Sequence, residues 1–104
     1  MSRQKFNHYF YIRSNKVTSD QSGTEIVPVY VRLVLNKERK EFSAGVSGPL
    51  KCWSVSLKLF DSRSPAVKKS NNLLKELEAK IDAIYWELRN TEEDFEIIDI
   101  LNKL

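Results

Sequence analysis

The sequence predicts an α+β domain, in which a three-stranded antiparallel sheet packs on a long C-terminal helix and a short second helix in the order β-β-β-α-α. Two patterns support this fold class. Three segments before residue 45 are rich in β-branched and aromatic side chains that alternate between two faces, as in half-buried strands. Beyond Ser64 the apolar residues instead recur at steps of three and four, as on one face of an amphipathic helix.

The first predicted strand covers residues 6–13. Alternation divides its side chains between the two faces of a sheet. One face takes Phe6, His8, Phe10 and Ile12, and the other takes Asn7, Tyr9, Tyr11 and Arg13. The stretch from Ser14 to Thr24 is polar and rich in turn-forming residues, so we expect a flexible loop there.

The second and third strands are predicted over residues 26–35 and 40–44. Pro28 cannot donate a ladder hydrogen bond, so it belongs at the beginning of its strand or on an edge. Beyond it, one face takes Val29, Val31, Leu33 and Leu35, and the other takes Tyr30, Arg32 and Val34. The polar residues 36–39 between the two strands predict a tight hairpin, although no glycine there indicates the turn type.

Residues 45–62 have two interpretations, an irregular crossing or a short fourth strand. In either case we expect Trp53 to fill the core between the sheet and the helices. Substitution of such a core tryptophan by alanine costs about 3–5 kcal/mol.

The long helix is predicted to begin at Pro65, with Ser64 as its N-cap, because proline suits the first helical position. Its apolar stripe comprises Val67, Ser70, Leu74, Leu77, Ile81, Ile84 and Leu88. A second helix is predicted from Thr91, with Asp94 three residues later as in a capping box. Its apolar side chains would be Phe95, Ile97, Ile98, Leu101 and Leu104.

Several functional classes find no support in the composition. No apolar run is long enough to span a membrane, and the single cysteine, Cys52, fits a reducing cytoplasm. One cysteine and one histidine fall short of a metal site, and His8 lies on an apolar strand face, where a core-edge role suits it better than that of a base. The isolated glycines form no phosphate-binding loop. We therefore expect no metal, cofactor, small-molecule substrate or catalytic residue in this chain.

The distribution of charge indicates a polyanionic partner. Residues 1–70 hold thirteen Lys and Arg against five Asp and Glu, a net charge of +8, whereas residues 71–104 carry −5. A basic region of this kind is typical of nucleic-acid-binding domains.

One face of the predicted sheet combines tyrosines with arginines. It should carry Tyr9, Tyr11, Arg13, Tyr30, Arg32, Arg39, Glu41 and Ser43. The planar guanidinium of arginine pairs with guanine edges or phosphates, which favours a role in DNA binding. Alternatively, the tyrosines are cross-strand packing pairs and the arginines cover their rings.

Five ordered segments carry a family resemblance. They are Phe10-Tyr11-Ile12-Arg13, Pro28-Val29-Tyr30-Val31-Arg32-Leu33, Arg39-Lys40-Glu41-Phe42-Ser43-Ala44-Gly45-Val46, Lys51-Cys52-Trp53, and Asn72 with the leucines after it. In this order and with these gaps, the chain resembles the N-terminal arm-type DNA-binding domain of tyrosine recombinases. The likeness is nearest to integrases of phages and conjugative transposons from Bacteroides-like bacteria.

The resemblance implies that residues 1–104 form one domain of a larger bacterial integrase, in the cytoplasm at the nucleoid, with the catalytic domain beyond Leu104. The sheet would lie in the major groove of double-stranded DNA at arm sites, and other integrase subunits would be partners. The expected groove contacts are Tyr9, Tyr11, Arg13, Tyr30, Arg32 and Arg39. The expected phosphate contacts are Lys37, Lys40, Lys68 and Lys69.

Two alternatives remain open at this point. A double-stranded-RNA-binding module also sets a sheet against helices, although such modules usually bind through helices and loops across the minor groove. A protein-interaction module could instead use the tyrosine-rich face to contact another subunit. Salt-dependent binding to a mixed-sequence duplex separates the second alternative from DNA binding.

Overall fold

A computed structural model describes residues 6–61, 64–91 and 94–104. Its main sheet is antiparallel, with β3 (Glu25–Leu35) between β1 (Phe6–Ile12) and β4 (Glu38–Pro49). The two-residue strand β2 (Thr18–Ser19) pairs with the start of β3. The predicted three-stranded antiparallel sheet is therefore confirmed, with β2 as an addition. β4 is longer than the predicted 40–44 segment.

The tight hairpin between β3 and β4 is also confirmed. Asn36 and Lys37 connect the paired residues Leu35 and Glu38, and Asn36 has a φ of +57°. Asparagine adopts this left-handed conformation more readily than other non-glycine residues, which explains a tight turn without glycine.

A bulge interrupts the pairing of β3 with β4. Between the pairs Pro28–Ser47 and Tyr30–Ser43, β4 has three residues where β3 has one. Gly45 lies among these three with a φ of +73°, a conformation that glycine adopts without steric cost.

The stretch from Ser14 to Thr24 contains more structure than the flexible loop that the sequence predicts. A 3-10 helix (Ser14–Lys16) leads into β2, and the Asp20 carboxylate then closes the turn before β3. Asp20 Oδ1 accepts hydrogen bonds from the backbone N–H groups of Ser22 and Thr24, both at 2.9 Å. An aspartate that bonds nearby backbone in this way fixes a turn without help from the core.

The inner face of the sheet packs on the helices. Its β3 side chains are Val27, Val29, Val31, Leu33 and Leu35, each exposed by 3% or less. They form one core cluster with a stripe on α1 (Pro65–Thr91) that comprises Val67, Leu74, Ile81, Ile84, Tyr85 and Leu88. The predicted start of the helix at Pro65 and its apolar stripe are both confirmed.

The inner face of β1 meets α1 at two points. The ring of Phe6 stacks on Tyr85 with centroids 4.2 Å apart, and His8 Nε2 lies 2.7 Å from Asp82 Oδ1. His8 is partly buried at the rim of the core, as its position on an apolar strand face predicts.

Residues 50–60 correct the prediction for Trp53. A 3-10 helix (Leu50–Cys52) precedes a small hairpin of β5 (Trp53–Ser54) and β6 (Leu59–Phe60). Trp53 is only partly buried and meets Phe60 edge-on, whereas Phe60 is 98% buried. Phe60, and not Trp53, therefore fills the core at this end of the sheet.

Two contacts hold Phe60 in this position. The Asn71 side chain on α1 accepts from the Phe60 N–H at 3.0 Å and donates to its carbonyl at 2.7 Å. The ring then lies directly against Gly48, where a Cβ would be 2.7 Å from it. The absence of a side chain at position 48 therefore creates the space that the phenylalanine ring occupies.

The second helix begins later than predicted. α1 continues through Thr91, whose hydroxyl donates to the Glu87 carbonyl one turn earlier, and α2 spans Ile97–Lys103. The Asp99 carboxylate accepts from the Glu96 N–H at 2.7 Å, so Glu96 and not Thr91 caps this helix. The shift buries Ile100 and leaves Ile98 46% exposed, contrary to its predicted place on the apolar face. Glu92 and Glu93 lie outside the described residues.

Candidate nucleic-acid interface

We call the sheet face opposite the helices the outer face. It carries Tyr9, Tyr11, Tyr30, Arg32, Val34, Arg39, Glu41 and Ser43, with Arg13 directly after β1. The pairing register arranges these side chains in rows across the strands, because residues paired across strands share a face. One row is Tyr9–Arg32–Glu41, and the next is Tyr11–Tyr30–Ser43.

Glu41 is the centre of a hydrogen-bond network that joins all three main strands. Its Oε1 accepts from Arg32 Nε at 2.7 Å and lies 2.6 Å from Arg32 Nη2. Its Oε2 accepts from the Tyr11 hydroxyl at 2.7 Å and from Arg13 Nη2 at 3.0 Å. One carboxylate thus orients two arginines and a tyrosine.

The tyrosines support both guanidinium groups. Arg32 Nη1 donates to the Tyr9 hydroxyl at 2.6 Å, and its guanidinium carbon lies 4.9 Å from the centre of the Tyr11 ring. Arg13 lies 4.2 Å above the ring of Tyr30. Both distances are in the range of cation–π interactions, in which the ring face attracts a cation.

The network favours the charged forms of Arg13, Arg32 and Glu41. The hydrogen bond to Tyr11 raises the pKa of Arg13 above its ordinary value, and the hydrogen bond to Tyr9 raises that of Arg32. Hydrogen bonds from Tyr11 and then Arg32 lower the pKa of Glu41 below the ordinary glutamate value. At neutral pH the cluster therefore carries two positive charges and one negative charge.

The two arginines retain hydrogen-bond donors for a ligand. The side chains of Arg13 and Arg32 are 38% and 27% exposed. No described residue accepts from Nε or Nη1 of Arg13, and Arg32 uses three of its five N–H groups. The arginines cover tyrosine rings, as the packing alternative requires, and still present donors to solvent.

The remaining expected contacts fall into two groups. Arg39 is exposed on the outer face opposite Val34, and Lys37 is exposed in the β3–β4 turn beside it. Lys40 pairs with Leu33 and therefore belongs to the helix side of β4. Lys68 and Lys69 are exposed in the first turns of α1, close to where Ser70 donates to the Ser47 carbonyl. The structure thus places Arg39 on the outer face and Lys37 in the adjoining turn, whereas the other three lie on the helix side of β4 or on α1.

Lys58 is a basic neighbour of the outer face that the sequence did not predict. It ends the turn between β5 and β6 with a φ of +56°, and its Nζ lies 4.4 Å from the centre of the Tyr9 ring. A groove of about 240 Å³ separates this hairpin from β1, with Val55 at its rim. Two-residue strands show no hydrophobic period, so no sequence pattern placed Lys58 near Tyr9.

No group of three or more His, Cys, Asp or Glu side chains that could hold a metal ion occurs among residues 6–61, 64–91 and 94–104. In the same part of the chain, no helix is long and apolar enough to cross a membrane.

The fold defines the class of protein as a small α+β domain, in which helices back one face of an antiparallel sheet and the other face is basic and rich in tyrosine. Comparison with protein families names the member of that class, because a model described as the Arm DNA-binding domain matches residues 10–100. The chain belongs to this family, a DNA-binding domain of phage and tyrosine integrases, which confirms the family resemblance drawn from the sequence. The nearer likeness to integrases from Bacteroides-like bacteria stays a prediction. No curated protein and no solved structure matches the chain.

Proposed function

We propose that the chain binds double-stranded DNA sequence-specifically at the arm or accessory sites of an integrase, with the outer face in the major groove. The observation that carries the proposal is the pair of oriented arginines, Arg13 and Arg32, which keep free donors beside three tyrosines. Membership of the Arm DNA-binding domain family supports DNA as the partner.

The dimensions of the outer face suit this placement. Three strands spaced at about 4.8 Å set the backbones of β1 and β4 about 10 Å apart. The major groove is about 12 Å wide and displays a distinct pattern of donors and acceptors for each base pair. The N–H groups of Arg13 and Arg32 that do not bond Glu41 or a tyrosine could donate to the O6 and N7 acceptors of guanine.

Phosphate contacts would surround the groove contacts. Arg39 extends the outer face toward the β3–β4 turn, which contains Lys37, and Lys58 extends it beside β1. Lys40, Lys68 and Lys69 lie on the helix side, so they would reach phosphates only where the DNA backbone passes the edge of the sheet. Such contacts fix the orientation on the duplex without reading sequence.

In this proposal residues 1–104 are one domain of a larger bacterial integrase that acts in the cytoplasm on nucleoid DNA during integration and excision. The bond-breaking chemistry would belong to a domain beyond Leu104, and other integrase subunits would share the DNA. The domain itself would contribute binding and no catalytic residue.

A salt titration tests the proposal. If four to six basic groups meet phosphates, a plot of log affinity against log salt for a mixed-sequence DNA duplex has a slope of about −4 to −5. An RNA duplex of the same sequence should bind more weakly, because its narrow major groove excludes side chains. A flat response on DNA, or equal affinity for the RNA duplex, would contradict the proposal.

A further inference from the structure

Both carboxylate oxygens of Glu41 are bonded to the side chains around them. A carboxylate offers about four lone-pair sites, two on each oxygen. Oε1 accepts a hydrogen bond from Arg32 Nε and forms an ion pair with Arg32 Nη2, and Oε2 accepts hydrogen bonds from Tyr11 and Arg13. Both oxygens of Glu41 are therefore engaged by neighbouring side chains, and we expect Glu41 to act on a ligand through the two arginines that it holds.

Holding the arginines has two physical consequences for a ligand. A guanidinium that is already oriented loses less conformational freedom when it binds, so its donors favour one geometry over others. The negative charge between Arg13 and Arg32 also repels a phosphate that approaches the same place, whereas a neutral base edge meets no such repulsion.

We propose that Glu41 is the specificity-determining positioning residue of the outer face. It holds Arg13 and Arg32 as readers of base edges and prevents them from acting as general phosphate binders. The inference rests on the proposed function, because it assumes that the outer face meets DNA. It predicts that Glu41 reduces non-specific affinity and increases the preference for the correct sequence.

Glu38 provides a matched control. It lies on the same strand and is exposed, but it pairs with Leu35 and so belongs to the opposite face from Glu41. Glu38→Gln changes the net charge by the same amount as Glu41→Gln. The pair of variants therefore separates the position of the charge from its amount.

The experiment first selects duplexes from a randomised 20-base-pair pool with the wild-type domain. The affinity of each variant is then measured for the enriched duplex and for the unselected pool. For Glu41→Gln we expect the ratio of the two affinities to fall by about 5- to 150-fold, the range for one bidentate base contact. Its affinity for the pool should rise, with a salt slope steeper by about 1 as a released arginine meets phosphate. Glu38→Gln should leave the ratio at the wild-type value.

Glu41→Asp separates positioning from charge. The shorter side chain keeps the carboxylate but cannot hold both arginines from one place, so the ratio should fall while the salt slope stays near that of the wild type. Thermal unfolding of each variant shows whether the domain is folded when it is assayed. A lower ratio of the two affinities in both Glu41 variants, with both variants folded, supports the inference.

Three outcomes would overturn it. An unchanged ratio in Glu41→Gln contradicts the inference and leaves the proposed function standing, since the wild-type domain still selects a sequence. If Glu41→Asp keeps the wild-type ratio of affinities for the enriched duplex and the pool, Glu41 does not act by positioning the arginines. If the wild-type domain enriches no duplex, the proposed function fails first and the role of Glu41 fails with it.

Discussion

The two faces of β3 are built from alternate residues of one strand, yet they are held by different forces. On the inner face Val29, Val31 and Leu33 are fully buried against the helices. On the outer face Tyr30 and Arg32 are partly exposed and take part in directional polar and ring contacts. Burial of apolar area is non-directional and provides most of the folding free energy. Directional contacts instead fix the orientation of individual groups.

This difference means that stability and recognition are separable in this domain. Partly exposed ion pairs contribute little to the free energy of unfolding, because water screens them and side-chain ordering opposes them. Substitutions on the outer face should therefore alter DNA binding with little effect on folding, and substitutions on the inner side should do the reverse. Substitutions in the core, on the outer face and beside it test that separation, with expected effects that decrease from the core outward.

The largest effect should come from the core at Phe60. Phe60→Ala should lower the free energy of unfolding by about 3–5 kcal/mol, because removal of a buried ring leaves a cavity. Gly48, which lies against the ring, has no side chain that could fill it. Trp53→Ala should cost less, since Trp53 is only partly buried. Chemical denaturation of both variants provides the comparison, and a loss for Trp53→Ala equal to that for Phe60→Ala would contradict the observed packing.

Much of this fold follows from hydrophobic periods in the sequence. Strand alternation correctly divided β1 and β3 between two faces, and the spacing from Val67 to Leu88 gave the buried stripe of α1. The predicted start of α2 at Thr91 was wrong, because the sequence contains two N-cap patterns in succession. Thr91 and Glu96 are each followed three residues later by an aspartate, and the local sequence does not show which of the two is the N-cap of the second helix.

The candidate site could be predicted only to the level of a shared face. Alternation placed Tyr9, Arg32 and Glu41 together, but their hydrogen bonds depend on a register that joins three strands across more than thirty residues. The contact of Lys58 with Tyr9 depends on a hairpin of two-residue strands that has no period. Tertiary packing sets both features.

The next largest effect should be a loss of DNA affinity when Arg32, at the centre of the outer face, is substituted. Arg32→Ala should weaken binding to a selected duplex by about 5- to 150-fold, as expected for loss of a bidentate base contact. Its thermal unfolding should remain close to that of the wild type. Lys80→Ala, on the exposed side of α1, is the control and should leave binding unchanged. Equal losses in the two variants would mean that net charge alone governs binding.

A smaller effect is expected for Lys58, because a phosphate contact carries no sequence information. Lys58→Ala should weaken binding to selected and unselected duplexes by the same factor and make the salt slope shallower by about 1. Affinities measured at several salt concentrations test this. A loss confined to the selected duplex would place Lys58 among the base contacts, and no loss at all would separate the β5–β6 hairpin from the interface.

The smallest effect should be a change in the pH dependence of folding through Glu41. Hydrogen bonds from Tyr11 and Arg32, and then from Arg13, lower the pKa of Glu41 below its ordinary value of 4.5. Its stabilising contribution is therefore fully present above 4.5 and is lost as the pH falls through the lower pKa of the folded state. Glutamine at this position cannot titrate. The difference in unfolding free energy between the wild type and Glu41→Gln should thus stay constant from neutral pH to near 4.5 and shrink below it.

The turn carboxylate of Asp20 also has a lowered pKa, through its hydrogen bonds with Ser22 and Thr24. It is present in both proteins, so its titration cancels from the difference and leaves that of Glu41. Urea denaturation at a series of acidic pH values measures the difference directly. A difference that grows as the pH falls would mean that protonated Glu41 stabilises the outer face more than the carboxylate does. The outer face would then be held by its tyrosine–arginine contacts, and the charge of Glu41 would not be what orients Arg13 and Arg32.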